Sequence, residues 1–153
     1  MKRSSSGISP VVATVILVAI AIVIAIAVAF WASGLVGIFT RFEKLEILAT
    51  AYDSKGDVEM LVRNTGSSPL TIDSIYVNGR PGAKYELLQN GDVLNVPGGA
   101  QTCDTKTGLC QPGQYIVINV ADTGAGEWIS GVTYEVAVHT ASGKLYPASV
   151  QIP

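Results

Sequence analysis

The sequence has no charged residue between Arg3 and Arg41, and over its 153 residues only 14% are Asp, Glu, Lys or Arg. Ten basic residues stand against twelve acidic ones, for a net charge of −2, and no stretch interleaves Lys or Arg with aromatics. A chain without such a basic footprint is not expected to hold nucleic acid. One histidine, His139, and two cysteines, Cys103 and Cys110, are too few for a metal cage, so no metal ligand set is expected. HExxH, P-loop, nucleophile-elbow and paired-carboxylate spacings are all missing, and a Ser-His-Asp set drawn from His139 has no spacing behind it. The expectation is a protein that is not an enzyme and needs no cofactor. No Asn-x-Ser/Thr sequon occurs, which removes the usual attachment point for N-linked sugar.

What is present is a long apolar run. Residues 11–32 read VVATVILVAIAIVIAIAVAFWA, with Thr14 the one polar side chain, and no Gly interrupts the run before Gly34. At about 1.5 Å per residue, one helix over residues 9–41 is roughly 50 Å long, beyond the ~30 Å hydrocarbon core of a bilayer. Val and Ile are mediocre helix formers in water, so the helix depends on an apolar surround. Seven alanines (13, 19, 21, 25, 27, 29 and 32) form low ridges for close helix approach. Phe30, Trp31 and Phe39 suit either a membrane-interface belt or packing between helices. Gly34 and Gly37 allow either a bend after the run or a helix that continues to Phe42.

Lys2 and Arg3 precede the run, and a near-neutral group of Arg41, Glu43, Lys44 and Glu46 follows it, which places the C-terminal part outside the cell by the positive-inside rule. A cleaved secretory signal with a site near Ala25–Ala27 or Ala27–Ala29 requires a shorter apolar core than this one. An uncut signal anchor fits the hydropathy.

The third reading rests on likeness. The basic residues, Gly7, and the apolar run opening Ile8-Ser9-Pro10-Val11-Val12 resemble the N-terminus of archaeal type IV pilins over residues 2–40. That resemblance implies cleavage between Gly7 and Ile8 by a prepilin peptidase, so that residues 1–7 are a leader. It implies that residues 8–42 are kept, first as a membrane span of the precursor and then as the core of a helical homopolymer. Val11, Val12, Val15, Ile16, Val18, Ile20, Ile22, Val23, Ile24, Ile26, Val28 and Phe30 would make that core. A membrane assembly platform and its ATPase are the further partners implied, and an adhesive pilus on the cell surface is the implied product. Val12 stands where bacterial type IV pilins usually carry a glutamate, which points away from the bacterial branch. Cleavage would remove Lys2 and Arg3 and leave 8 basic against 12 acidic residues, a charge of −4. The archaellum filament of swimming is the nearest rival. A membrane-anchored binding module is the rival of another class, with Trp128, Tyr115 and Tyr146 as its candidate contact residues unless they are core aromatics.

From Arg41 the composition turns to short apolar segments between Gly, Pro, Asn, Asp and Ser clusters, at 45–52, 58–64, 69–78, 85–88, 91–96, 114–120, 132–140 and 144–152. Val132, Tyr134, Val136 and Val138 alternate with Thr133, Glu135 and His139, and Val58, Met60 and Val62 alternate with Glu59 and Arg63. The phase slips between Ile72 and Ile75, the mark of a bulge. Residues 54–57 and Ser142-Gly143 read as hairpin turns. The expected class is α+β, with an apolar helix followed by an all-β, immunoglobulin-like sandwich head over residues 43–153. Cys103 and Cys110, with six residues between them in an extracellular loop, are expected to close a disulfide, against free thiols or half a metal site. His139, on the polar face of its strand, is expected to be exposed and inert.

Overall fold

The computed structural model describes residues 9–153. Helix α1 spans Ser9–Thr40, and the chain divides into two compact units with the boundary after Arg41. Pro10 lies in the first turn, where a missing N–H costs nothing because that N–H has no intrahelical acceptor. The helix continues through Gly34 and Gly37 and ends two residues short of Phe42. Thr14, Ser33 and Thr40 each turn a hydroxyl back onto the carbonyl four residues earlier, at 2.7, 2.8 and 2.9 Å. Each donates to a backbone carbonyl already in the helix and so asks nothing of the surround.

The second unit, Phe42–Pro153, is an immunoglobulin-like sandwich. Its strands are β1 (Leu45–Tyr52), β2 (Val58–Asn64), β3 (Leu70–Val77), β4 (Arg80–Pro81), β5 (Tyr85–Leu88), β6 (Leu109–Cys110), β7 (Tyr115–Val120), β8 (Thr133–Thr140) and β9 (Leu145–Gln151). One sheet runs β1-β2-β7-β5 and the other β4-β3-β8-β9, with β6 paired to β3. All pairings between these strands are antiparallel.

The alternating residues make the core between the sheets. Val58, Met60 and Val62 on β2 lie opposite Val120, Ile118 and Ile116 on β7, and all six are fully buried. On the other sheet Ile75 and Val77 face Val138 and Val136, and Tyr134 faces Val150. Burying one such side chain contributes about 1.5–3 kcal/mol. The β3–β8 register shifts between Ile72 and Ser74, and this bulge lets Ile72 and Ile75 both point inward although they are three residues apart. Val132 lies just before β8 and is 38% exposed, so the inward row begins at Tyr134.

Two expectations fail together. Residues 91–96 do not form a strand, and Glu59 is not on a solvated face but fully buried. The Glu59 carboxylate accepts the backbone N–H groups of Asp92, Val93 (2.9 Å) and Leu94 (2.7 Å). Donors aimed at one carboxylate are not available for a strand ladder, so the segment wraps the charge instead. A Cβ on Gly91 would stand 2.5 Å from the Glu59 carboxylate carbon, and glycine is what lets the backbone come so close.

Buried Asn64, at the end of β2, is a second polar knot. Its Nδ2 donates to the carbonyls of Ser68 and Cys110, both at 3.0 Å, and its Oδ1 accepts the N–H of Gly66 at 2.9 Å. One side chain thus joins β2, the turn after it and the cysteine loop. Replacing Asn64 with Ala leaves two carbonyls and an N–H without their partners, and a loss of about 2–4 kcal/mol is expected. Urea unfolding of the full chain in detergent micelles, followed by fluorescence, checks this; an unchanged midpoint would remove Asn64 from the account.

Candidate functional site: an apolar stem and a self-contained head

No residue of α1 is buried within the chain. Val11, Val12, Val15, Ile16, Val18, Ile20, Ile22, Val23, Ile24, Ile26, Val28 and Phe30 are each between 49% and 77% exposed. Apolar residues cover every side of the helix, a pattern found where a helix is buried all round. Among the described residues α1 is the one helix long and apolar enough to cross a membrane. At about 1.5 Å per residue its 32 residues extend roughly 48 Å. Ala21, Ala25, Ala29, Ser33 and Gly37 recur at every fourth position, so they share one side of the helix as a stripe of low relief. Ile26, Ala29, Phe30 and Ser33 line a shallow groove on that stretch. The cleavage pair expected from the sequence, Gly7 and Ile8, lies outside the described residues.

The first residues of the head are tied down within the head itself. Phe42 donates its N–H to Ser67 Oγ at 3.0 Å and accepts the N–H groups of Ser67 and Ser68 on its carbonyl at 2.9 and 3.2 Å. Thr65 and Gly66 donate to the Lys44 carbonyl at 3.0 and 3.1 Å. A Cβ on Gly66 would stand 2.5 Å from the Phe42 oxygen, so this clamp requires glycine. From the other side, the Glu43 carboxylate accepts the Thr140 hydroxyl at 2.6 Å and lies 3.4 Å from the Tyr146 hydroxyl, while Lys144 Nζ donates to the Glu43 carbonyl at 3.3 Å. Burial pushes the Glu43 carboxyl up. Hydrogen bonds from Thr140 and Ser142, the Lys144 charge and the Tyr146 hydroxyl outweigh it and hold the carboxyl below its usual value of 4.5.

Cys103 and Cys110 are joined in a disulfide whose two residues are buried in the core. It closes the short 103–110 loop, joining Cys110 on β6, which pairs with β3, to Cys103, whose N–H donates to the Tyr115 carbonyl on β7 of the other sheet at 2.9 Å. His139 is not a free surface group as expected: its ring shares a hydrogen bond with Asp73 and stacks on Tyr76, with centroids 5.3 Å apart and planes 17° from parallel. Burial raises the Asp73 carboxyl, while His139 and Ser74 lower it by more, so the net shift is downward. The three aromatics considered for ligand contact each have an internal partner. Trp128 is buried edge-on against Tyr134 at 5.0 Å, Tyr115 lies under the Arg63 guanidinium at 5.1 Å, and Tyr146 reaches Glu43.

Comparison with known proteins places this architecture. The chain is similar in fold to the archaellum periplasmic stator protein FlaG from Sulfolobus acidocaldarius, at a TM-score of 0.51 and 15% identity, over 71% of this chain and all of that one. The complex of FlaF and FlaG from the same organism aligns at 0.47 with 16% identity, over 71% of this chain and 90% of that one. The Iho670 flagellar-like filament aligns at 0.36 with 14% identity, over 94% of this chain and 98% of that one. No protein-family model matches the sequence, and neither does any curated protein sequence. The likeness to FlaG establishes the fold.

Asn64, Glu59 and Asp53 are buried in the head and Glu43 is half-buried; the sequence reading put Glu59 on a solvated face and gave the other three no part in the head's packing. The signal for Glu59 was the Asn90-Gly91-Asp92 turn sequence, which can turn several N–H groups to one side. Because the folded-state value of Glu43 is depressed, its contribution to stability is present above about pH 4.5 and is lost as pH falls through the lower folded value. Glu43→Gln should cost about 1 kcal/mol at pH 7 and flatten the fall in stability below pH 4.5. Urea midpoints of both proteins between pH 7 and pH 3 measure it, and parallel curves would show that Glu43 is not the group responsible.

Proposed function

We propose that the chain is the structural subunit of an extracellular filament of the archaeal type IV pilin kind, polymerising through the 8–42 segment with the β-sandwich outward. The observation that carries this reading is α1 itself: 32 residues without a charge and with none buried in the chain. Keeping its 18 large apolar side chains in water, at about 1.5 kcal/mol or more each, would cost on the order of 30 kcal/mol. A bilayer of ~30 Å core covers only part of a helix of this length, whereas neighbouring copies cover all of it. The stripe from Ala21 to Gly37 supplies the low relief by which helices approach closely without a solvent-driven preference. In this reading residues 1–7 are removed by a prepilin peptidase, the precursor waits in the membrane with its head outside, and an ATP-driven platform extracts it. Adhesion or surface attachment is the use proposed, with the swimming filament the nearest alternative.

The fold shared with FlaG favours a second reading, in which the head is an extracellular module of an archaellum-like machine held by an uncleaved helix. Shearing cells and sequencing the released protein from its N-terminus separates the two. A start at Ile8 in sheared filaments is the expected outcome, and Gly7→Leu should leave an uncut, membrane-held precursor with no filaments. Protein found in membranes alone with Lys2 and Arg3 intact, or normal filaments from Gly7→Leu, would remove the filament reading.

A further inference from the structure

One corner of the head gathers more negative charge than it neutralises. Asp53 follows β1 and opens the 53–57 turn, where its Oδ1 accepts the N–H groups of Lys55 and Asp57, both at 2.8 Å. The residue is 3% exposed, and its other oxygen, Oδ2, is buried with no hydrogen-bond partner among the described residues. Glu59, buried beneath the Asp92–Leu94 backbone, is the second carboxylate. Asp92 is the third, and its exposed side chain pairs with Lys55 Nζ at 2.7 Å. One oxygen from each of Asp53, Glu59 and Asp92 lies within 4.8 Å of the other two.

Three carboxylates thus converge with one ammonium, on the outermost of the three. A buried carboxylate oxygen without a donor is expensive, since burial removes its water and nothing replaces it. The protein has nonetheless fixed this arrangement from several sides. Two backbone N–H groups orient Asp53, three orient Glu59, and Gly91 permits the close approach that brings Asp92 over them. Each anchoring donor occupies one lone-pair direction and leaves others free, because two carboxylate oxygens offer about four acceptor positions. Glu59 and Asp92 also line a cleft with Lys55, Asp57, Lys84, Asn90 and Asn119. The ligand set is oxygen only, without the sulfur or imidazole that would select zinc or copper.

We propose that Asp53, Glu59 and Asp92 form a binding site for one divalent cation of the calcium kind, with the Lys55 ammonium neutralising Asp92 in the metal-free protein. With Oδ2 as the Asp53 ligand atom, the cation supplies the partner that this oxygen otherwise lacks. Its effect would be to pin the turn after β1 to the loop wrapped on Glu59, two segments far apart in the chain. The site does not rest on the filament reading, because it lies wholly within the head and serves an anchored module as well as a fibre subunit.

The test is calorimetric titration of the full chain in detergent micelles with calcium chloride, after dialysis against chelator. One saturable site per chain is expected, with a thermal midpoint that rises with calcium. Asp53→Asn and Asp92→Asn should each weaken binding by at least about tenfold, as ligand charge sets affinity in such sites. Lys55→Gln, which removes the competing ammonium, should tighten it. Asp92 and Lys55 are exposed, so these two variants keep the test decisive if Asp53→Asn fails to fold. Absence of saturable uptake at about 10 mM calcium in both the wild type and Lys55→Gln would overturn the proposal. So would uptake indifferent to Asp92→Asn.

Discussion

The constraint on which the rest depends is that α1 is apolar on every side and has no buried residue. An amphipathic helix could have laid one face on a sheet, but this one has no polar side to leave in water. The head is therefore closed without it. Both inner sheet faces are filled by the head's own residues, from Leu45 on β1 to Ile152 after β9, and the residues that follow the helix are held by Ser67, Thr140 and Tyr146 within the same unit. Independence of the head is the counterpart of dependence in the stem.

A sandwich of about 110 residues has a limited core, and this one holds its loops with buried polar groups as well as apolar contact. Buried Asn64 and Glu59, and half-buried Glu43, each collect hydrogen bonds from segments distant in sequence. Such groups give directional constraints that aliphatic packing does not, and removing one leaves several partners unsatisfied at once. The disulfide works at another level. It restricts the short loop between Cys103 and Cys110, and Asn64 then ties the Cys110 carbonyl to the end of β2. Covalent and polar ties share the task of holding one end of the sandwich.

The legibility of this chain followed from how local each signal is. The stem was readable because twenty-odd apolar residues without a charge have few physical outcomes. Seven strands were readable as short apolar segments between turn clusters, two of them with clear period-two alternation, and the bulge near Ile72 announced itself as a slip in phase. β4 and β6 were not, since two-residue pairings carry no period. Glu59 was misplaced because alternation assumes one wet face, whereas β2 is an interior strand whose outer side is covered at that point by the 91–94 backbone. His139 was misplaced for a similar reason: Asp73 and Tyr76 are more than sixty residues away and reach it only through the β3–β8 pairing. The same non-locality hid Asp53, whose unpartnered oxygen is a property of burial and not of composition.

In the filament reading, the hydrophobic effect explains why the subunit never enters water but not why it leaves the membrane, since lipid and neighbouring helices both cover apolar surface. The choice falls to smaller terms. A helix longer than the bilayer core leaves some side chains imperfectly covered in lipid and fully covered among copies. A small-residue stripe adds contact between helices that lipid tails, with their own entropy, match less well. The hydroxyls of Thr14, Ser33 and Thr40 are satisfied on their own helix and so oppose neither environment. With the large term nearly balanced, direction has to come from outside the subunit, which is why this reading requires an energy-consuming assembly machine.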